Sequence, residues 1–477
     1  MKIARVYIDE FPSVTITGCD IKQNVNEHAY ASITGIIEEN IIDKCMSKGR
    51  SESYLTIKAV DEDNNKKNIF KGLVYSMKIE NDGSVNTLEL VLVTGTIKLE
   101  GNNYTKTFQN SGTSYSKLFN NIEEDESASS IMFVGDKSIG KMVVQYNETN
   151  WEFAQRIASN MGTCIYPEVT FDSPRYYVGV GNGSRSADIT TSSVRIKQSV
   201  EKYLLDNNKE SIEKLKDCVS YEVESRDYAP IGSKVSIPSS SEELYINSVH
   251  TSLIRGEVIN NYILKSKGGF NRVRRYNHKL IGASLSGRIT GVSGSTVKIS
   301  VDEDIINGNG DCGSKDFAYS TVYSSPDGTG WYCMPEEGDK IRVYFPTERE
   351  EDGYVISSVH LDVDSSASNS SARSNPDEKS ISNKQNKQIV FAPTYIEITN
   401  NEMGSAIKLD DENGITITTD KSIYFKANNV IEFNSDNDIY LTGNEEIKLE
   451  QSEQNSITLD KDSITIKGPK VKMQDKE

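Results

Sequence analysis

The sequence predicts a mainly β protein with several domains, and three observations lead to this fold class. The chain has 477 residues, more than the ~250–300 that usually share one hydrophobic core, so we expect two to four domains. Only 36% of the residues are hydrophobic, which favours a surface-rich or elongated molecule over a compact one. Short runs of alternating apolar and polar residues recur between turn signals along much of the chain, as in half-buried strands.

The charge balance excludes some classes of partner. The chain carries 53 basic and 70 acidic residues, for a net charge of −17. Such an acidic surface argues against wrapping nucleic acid or lying on an anionic bilayer. A basic run, Arg272-Val273-Arg274-Arg275 with Lys279, stands out in this acidic chain. Contacts between domains or subunits explain it better than nucleic-acid binding.

The sequence also bears on membranes and export. No apolar run approaches the ~18–20 residues of a membrane span. The first residues, MKIARVYIDEFPSV, lack the apolar core of a signal peptide. We therefore expect neither a membrane-spanning helix nor export by a leader of the chain's own.

Residues 1 to about 100 predict antiparallel strands. The runs SYLTIKAV (53–60), FKGLVYSMKIE (70–80) and NTLELVLVT (86–94) alternate apolar and polar side chains. The Asp82-Gly83 pair between the last two runs supplies the positive φ that a tight hairpin turn requires. These residues should therefore form a meander of neighbouring strands.

Two helices are predicted after these strands. The run SYSKLFNNI (114–122) is the shorter, and WEFAQRIASNMG (151–162) is the clearer of the two. For the second helix, Thr149 or Asn150 is the expected N-cap and Gly162 the residue that follows its C-terminus. Its apolar face consists of Trp151, Ala154, Ile157, Ala158 and Met161.

The remaining residues before the tail predict further strands, one helix and a linker. Strand-like stretches at 163–196 and 219–266 flank a predicted helix at 201–217. From Leu285, about five short strands separated by glycine turns predict a small closed barrel of the OB type. Residues 362–389 are rich in Ser, Asn and Lys with almost no apolar side chain, which predicts a flexible polar linker.

The tail contains a repeat of fixed period. From residue 395 onward, two apolar residues separated by one other residue recur along the chain. Between Ile407 and Ile447 the first member of the pair returns every eight residues, five times in succession. The paired positions are Ile407/Leu409, Ile415/Ile417, Ile423/Phe425, Ile431/Phe433, Ile439/Leu441 and Ile447/Leu449. Repeats of this kind are typical of solenoid-like architectures.

An octad is too short to enclose a wide core within one chain. Each short strand offers two inward apolar side chains, and a single chain would leave that stripe in water. Three chains wound about one axis would bury the stripe, each strand pairing with strands of the neighbours so that no free lateral edge remains. At ~4.8 Å per strand, about ten steps make a needle of very roughly 50 Å. A two-sheet sandwich is the alternative, and the regular spacing disfavours it.

The order of these segments resembles the VgrG and phage baseplate hub–spike family over nearly the whole chain. The stretches that carry the resemblance are FKGLVYSMKIENDG (70–83), VVQYNETNWEFAQRIASNMG (143–162) and YINSVHTSLIRGEVINNYILK (245–265). In the last of these, His250 stands where the family often carries a histidine. The run GWYCMPEEGDKIRVYFP (330–346) is similar to the family's barrel pattern. Its matching residues are Pro335, Gly338, Asp339, Ile341, Val343 and Phe345.

The resemblance implies an architecture for the whole chain. A hub of two barrel-like β domains with a few helices would form a pseudo-sixfold ring in the trimer. An OB-fold barrel and a C-terminal, triple-stranded intertwined β-helix needle would follow it. The expected boundaries are 1–270 for the hub, 271–284 for a connector, 285–361 for the OB-fold domain, 362–390 for a polar linker or collar, and 391–477 for the needle.

The resemblance also implies a function. The chain would be the homotrimeric hub–spike of a contractile injection machine, whether a phage tail, a tailocin, an extracellular injection system or a type VI-like apparatus. It would cap the tail tube, organise the centre of the baseplate and pierce the target envelope. Its partners would be its own copies, tail-tube and baseplate proteins and, transiently, that envelope, but no nucleic acid. It would assemble in the bacterial cytoplasm into a phage-like or secretion particle.

Departures from the family narrow these expectations. Some members insert or append an enzyme domain, but 362–389 is too short and polar for one, and the chain stops at VKMQDKE. Some short phage spikes end in a His-x-His metal site, whereas no histidine follows His360 here. Val471 and Met473 of three chains would instead form a blunt tip, a natural docking surface for a separate PAAR-like protein.

No residue is predicted to be catalytic or to bind a cofactor or metal. The sequence contains no serine-hydrolase, zinc-protease, phosphate-loop or dinucleotide motif. Acidic pairs such as Glu350/Glu351 fall in turns, where we expect a solvated surface and not a glycosidase pair. The six cysteines are scattered and are expected to be buried free thiols, while the proximity of Cys312 and Cys333 stays open.

Two other classes of function stay open at this point. A β-helical tail fibre or adhesin would bind surface glycans through outward pockets on the needle. The octad places Phe425 and Phe433 inward and Tyr424 and Tyr440 outward, which gives that class thin support. A spike that hydrolyses cell wall is the third class, and a peptidoglycan-degradation assay on the trimer would reveal it.

Overall fold

The computed structural model describes residues 2–181, 185–191, 193–206, 214–310, 312–356, 375–400 and 404–474. The chain divides into two compact units, Met1–His360 and Leu361–Glu477. Strands dominate both units, which confirms the predicted mainly β fold class. Within the described ranges, no helix is both long enough and apolar enough to cross a membrane.

The first β region contains the predicted strands. The Asp82-Gly83 hairpin is confirmed, because Gly83 has a φ of +93° and Asp82 Oδ1 accepts the backbone N–H of Val85 at 3.0 Å. The elements are β1 (Ile3–Ile8), β2 (Thr15–Asn24), β3 (Tyr30–Ile37), α1 (Ile42–Gly49), β4 (Tyr54–Asp61), β5 (Lys66–Asn81) and β6 (Asn86–Val93).

The two predicted helices follow. The second begins with a capping box, in which Thr149 accepts the Glu152 N–H and Glu152 accepts the Thr149 N–H. Thr149 is therefore the N-cap, and Gly162, with a φ of +73°, follows the C-terminus as predicted. The elements are β7 (Asn103–Phe108), α2 (Tyr115–Glu126), β8 (Ser129–Met132), β9 (Val143–Thr149), α3 (Asn150–Asn160), β10 (Ile165–Pro167) and β11 (Arg175–Val178).

A second β region completes the hub. The helix predicted at 201–217 is α-helical only to Asp206, residues 207–213 lie outside the described ranges, and Leu215–Cys218 is a 3₁₀ turn. The elements are β12 (Ser186–Ala187), β13 (Val194–Gln198), α4 (Glu201–Asp206), β14 (Val219–Ser225), β15 (Lys234–Val235), β16 (Leu244–Ile254) and β17 (Glu257–Ser266). The 3₁₀ turns of the first unit are Glu39–Ile41, Gly95–Glu100, Leu215–Cys218, Lys267–Phe270, His278–Leu280 and Glu350–Asp352.

The two β regions share one continuous sheet. Its strand order is β1-β4-β5-β6-β3-β2-β16-β17-β14-β13, and every neighbouring pair along it is antiparallel. The seam between the regions is the β2–β16 ladder, where Lys22 lies opposite His250. Alternate residues of these strands are buried in two apolar clusters, so one face of the sheet carries the core of the hub.

The predicted OB barrel is present. Its strand order is β20-β19-β18-β21-β22, and a bridge between Tyr319 and Val355 closes it. The interior is apolar, with Phe317, Val343 and Phe345 fully or almost fully buried. The elements are β18 (Ser284–Ser293), β19 (Thr296–Val301), α5 (Asp302–Ile306), β20 (Phe317–Ala318), β21 (Lys340–Tyr344) and β22 (Tyr354–Ile356).

The second unit consists of two antiparallel meanders. The first has five strands and the second has three, in sequence order. The elements are β23 (Lys379–Ser382), β24 (Lys387–Phe391), β25 (Tyr395–Asn400), β26 (Ser405–Asp410), β27 (Gly414–Thr419), β28 (Glu446–Ser452), β29 (Asn455–Asp460) and β30 (Ile464–Lys467).

The second unit corrects two expectations. These ladders lie within one chain, whereas the sequence predicted that every strand pairs with strands of neighbouring chains. The first meander also begins inside the stretch predicted as a linker, because Ile381 pairs with Ile389. Its turn is polar, and Asn383 Oδ1 accepts the N–H groups of Gln385 and Lys387, each at 3.1 Å. Because the turn consists of polar residues, this hairpin resembled a linker in the sequence.

Candidate functional site: an apolar stripe for assembly

The apolar octad positions form two rows across the first meander. On β26, Ile407 lies opposite Ile398 of β25 and Ile417 of β27, while Leu409 lies opposite Ile396 and Ile415. Because side chains alternate between the faces of a strand, both rows occupy the same face of the sheet. In the second meander the same arrangement places Leu449 opposite Ile457 and Ile447 opposite Leu459.

This stripe is exposed in the single chain. Eleven of the twelve octad side chains between Ile407 and Leu449 are 40–72% exposed, and Ile447 is half-buried. Fully burying one such side chain is worth about 1.5–3 kcal/mol. A continuous exposed apolar surface of this kind marks a site of association. We therefore treat the stripe as the candidate functional site.

The middle of the needle has no strand partner among the described residues of its own chain. Residues 420–445 form no ladder among the described residues, and every one of them is exposed. Phe425 and Phe433, one octad apart, meet edge to face with ring centroids 6.3 Å apart. Successive steps of the octad therefore stack on one another, while the backbone groups beside them still need partners.

The polar side of the needle stabilises its turns. At the β26–β27 turn, Asp410 Oδ1 accepts the backbone N–H groups of Glu412 and Asn413 at 3.2 and 3.0 Å. Asp410 also pairs with Lys408 at 2.9 Å. The Lys408 bond and these backbone bonds lower the pKa of the Asp410 carboxyl to about 2. Gly414, with a φ of +73°, then starts the next strand.

The predicted OB-fold residues lie together at one turn and on the strand after it. Glu336 donates its N–H to Asp339 Oδ2 at 2.9 Å, and Gly338 takes a φ of +92°. The turn is fixed to β18, because the N–H of Gly338 donates to Ile289 O and the N–H of Ile289 donates to Asp339 O, each at 2.9 Å. Phe345 fills the barrel interior. These residues, together with Pro335 before the turn, have structural roles.

A buried ionic cluster joins the hub to the barrel. Arg156 of α3 contacts Glu148 through two nitrogens at 2.8 Å each, and Glu350 of the barrel at 2.7 Å. Burial alone would lower the pKa of Arg156, but the two carboxylates outweigh it and hold that pKa above its ordinary value. The prediction that Glu350 is solvated is wrong, because Glu350 is buried against Arg156. The sequence did not reveal this pairing, since Arg156 lies 194 residues earlier in the chain.

The basic run takes part in these contacts. Arg274 approaches Glu350 at 3.7 Å, and Lys279 Nζ donates to Asn147 O at 2.8 Å. Arg275 bonds Gln155 of α3. These residues therefore connect domains of the same chain, in agreement with the expectation from the sequence.

A second buried contact fixes α5 of the barrel to β7 of the hub. Asp304 accepts the Thr107 N–H at 2.6 Å and the Asn309 amide at 2.9 Å, and Asn309 also donates to Thr107 O at 2.7 Å. Burial raises the pKa of Asp304, opposed by these hydrogen bonds. No sequence pattern pointed to this contact or to Arg156, since both depend on residues far apart in the chain.

Metal-binding geometry is not assembled by the described residues. No group of three or more His, Cys, Asp or Glu side chains among them could hold a metal ion. His250 contacts Asp20 at 2.5 Å across the hub seam, on the half-exposed face of the sheet. Cys312 is half-buried and Cys333 is exposed, and they form no disulfide with each other. At the far end of the needle, Val471 and Met473 are both exposed.

The fold of this chain is similar to that of solved VgrG-like proteins. A component of the Escherichia coli type VI secretion system, described as structurally similar to bacteriophage T4 tail proteins, matches with a TM-score of 0.50 and 11% identity. The match covers 74% of this chain and 99% of that one. A chain of a Francisella PdpA–VgrG complex matches with a TM-score of 0.53 and 12% identity, covering 85% of this chain and 76% of its own.

Sequence comparison alone does not reveal this likeness. No protein-family model matches the sequence, and no curated protein is similar to it at a significant level. The likeness therefore lies in the arrangement of the strands and barrels and not in the sequence. The VgrG-like hub–spike fold expected from the sequence is confirmed.

Proposed function

We propose that this chain is the homotrimeric, non-enzymatic hub–spike of a contractile injection machine. Its hub caps the tail tube and organises the centre of the baseplate, and its needle leads the tube through the target envelope. The observation that carries this proposal is the exposed apolar stripe of a needle whose middle, residues 420–445, has no ladder partner among the described residues of its own chain.

Three copies can bury the apolar stripe, which a single chain leaves exposed. With three copies about a common axis, the apolar rows of the first meander face each other and form the interior of a prism. The unpaired backbone of 420–445 then pairs with the neighbouring chains, as the octad predicts. A rod of this kind resists buckling, because hydrogen bonds between chains link every step in this part of the needle.

The edges of the hub sheet also support association of identical copies. Beyond Leu73, β5 pairs with β6 on one side only, and β13 pairs only with β14, among the described strands. Seven antiparallel pairings separate β5 from β13, so these two strands run in opposite directions. The β13 edge of one copy can therefore accept the β5 edge of the next as an antiparallel pair.

The side chains of these two edges fit such a pairing. Tyr75 of β5 and Ile196 of β13 are 63% and 57% exposed, and Tyr75 packs edge to face on Tyr30 of β3. Exposed apolar residues at a strand edge mark that edge for pairing. Three copies joined in this way would close the hub into a ring.

The remaining partners follow from this assembly. Tail-tube and baseplate proteins contact the hub, and a PAAR-like protein covers the tip formed by Val471 and Met473. The protein resides in a phage-like or secretion particle that assembles in the bacterial cytoplasm and acts on the target envelope. The hub–spike fold shared with the secretion-system proteins supports this placement.

Cross-linking mass spectrometry on particles isolated from the producing cells tests the proposal. We expect cross-links from the hub residues to a tube protein and from the last needle residues to a small tip protein. Recovery of the chain outside any particle, with cross-links to surface glycans or receptors instead, would contradict it. The non-enzymatic role is checked by a peptidoglycan-degradation assay. The particles for this assay must contain no other spike enzyme.

A further inference from the structure

The OB barrel has two exposed apolar patches. The barrel carries the four most exposed large apolar side chains among the described residues of the first unit. They are Val322, Ile306, Tyr332 and Ile305, and they are 71–85% exposed. They fall into two groups. The aromatic arm comprises residues 319–333, and its exposed apolar side chains are Val322, Tyr323, Trp331 and Tyr332. The α5 patch comprises Ile305 and Ile306.

The aromatic arm is held in place by hydrogen bonds. The Trp331 N–H donates to Tyr323 O at 2.9 Å, and the Ser325 N–H donates to Thr329 O at 2.8 Å, which makes the arm a hairpin. The Tyr332 hydroxyl donates to Gly294 O at 2.8 Å, which ties the base of the arm to the β18–β19 turn. The aromatic side chains are therefore presented to solvent by an ordered backbone.

The α5 patch is fixed as well. Asp304, directly before the two isoleucines, is clamped to Thr107 of the hub by two hydrogen bonds of 2.6 and 2.5 Å. Glu303 Oε2, beside the patch, is buried without a hydrogen-bond partner among the described residues. A buried acceptor without a donor is costly.

One chain cannot bring the two patches together. The arm is attached at Gly294, before β19, whereas α5 starts directly after Val301, at the other end of that strand. Six residues of strand span about 20 Å. The polar groups of the two patches are, however, chemically complementary. The arm offers the indole N–H of Trp331 and the hydroxyl of Tyr323, and α5 begins with Asp302 and Glu303, while Asp304 is already held by the hub.

We propose that the aromatic arm of one copy packs on the α5 patch of the next copy. Two different patches on every chain that fit each other form a heterologous contact, which closes into a ring when the copies are related by a rotation axis. In this contact the arm covers Ile305 and Ile306 and brings donors to the acidic start of α5. The inference rests on the proposed homotrimer and adds a second interface outside the needle.

A disulfide between copies tests the contact directly. Cys333 is exposed beside Tyr332 at the base of the arm, so an Ile306→Cys variant places a partner thiol in the α5 patch. Under mild oxidation we expect covalent dimers and trimers on non-reducing gels. Ile306→Cys combined with Cys333→Ser, and Ile281→Cys with Cys333 retained, are matched controls that should stay monomeric on the gel.

The outcomes separate this inference from the proposed function. A protein that is trimeric by native mass but gives no covalent species from Ile306→Cys overturns the contact and leaves the hub–spike proposal intact. A disulfide formed within one chain overturns the contact as well. A wild-type protein that is monomeric by native mass overturns both.

Discussion

His28 is a buried histidine whose environment favours its neutral form. Its ring stacks on Trp151 at 4.5 Å, and Nδ1 lies 2.8 Å from Thr96 Oγ1. Burial lowers the pKa of His28 below the ordinary 6.5, against the opposing effect of Glu100. The folded hub therefore binds fewer protons at this site than the unfolded chain. The stability from this site is fully present above pH 6.5 and is lost as the pH falls below that value.

We expect the hub to lose free energy of unfolding between pH 7.5 and pH 5.5 through His28. In a His28→Gln variant this part of the pH dependence should disappear, whatever the variant's absolute stability. Urea unfolding at both pH values measures the change. An equal loss of stability in variant and wild type on acidification would rule out His28 as the cause.

Arg156 is the second residue whose role can be measured. An Arg156→Met variant leaves Glu148 and Glu350 buried without their cation, which should cost about 3–5 kcal/mol of unfolding free energy. Arg275→Met is the matched control, because Arg275 is exposed and its side chain, among the described residues, bonds an amide on α3 and no carboxylate. That control should change stability by no more than about 1 kcal/mol. Equal effects of the two variants would contradict the cluster's role in joining hub and barrel.

At the scale of elements, the sequence predicted periods and caps well and pairing partners less well. Thr149 and Gly162 were identifiable as the limits of α3 because their chemistry is local. The octad identified apolar residues that share one face of the needle strands, but a period shows which residues share a face and not which strands pair. Likewise, the hairpin containing Asn383 was hidden in a polar stretch, and the burial of Glu350 depended on a residue distant in the chain.

The inward and outward positions of the needle can be distinguished by neighbouring substitutions. Leu441 belongs to the octad stripe, whereas Tyr440 is predicted to face outward, and both are largely exposed in a single chain. In a trimer, Leu441→Asp places three carboxylates at the axis, and each costs several kcal/mol. We expect this variant to dissociate at concentrations where Tyr440→Asp stays trimeric by analytical ultracentrifugation. Indistinguishable behaviour of the two variants would contradict an inward stripe.

At the scale of the whole molecule, low hydrophobicity and strong acidity have a structural explanation. The needle has only two apolar side chains per octad that it could bury, and one chain alone leaves them largely in water. The hub, by contrast, has ordinary apolar cores behind a continuous sheet, in which β13 and the second half of β5 each pair on one side only among the described strands. Both the stripe and the edges can be completed by identical copies.

Hydrogen exchange can locate the hub contact between copies. If β13 and the second half of β5 pair across copies, amides at 194–198 and 74–81 should exchange as slowly as those of interior strands in the intact protein. The peptide covering 421–445 reports needle assembly in the same experiment. Slow exchange in the needle with fast exchange at both hub edges would contradict the proposed ring closure and leave the needle trimer unaffected.

The native mass of the intact protein tests the central claim most directly. A chain of 53.1 kDa that buries its octad stripe against two copies of itself should appear as a single species of three times that mass at micromolar concentration. The trimer should persist on dilution, because the needle and hub contacts act together. A monomer at 53.1 kDa in native buffer would contradict the shared needle and, with it, the proposed hub–spike.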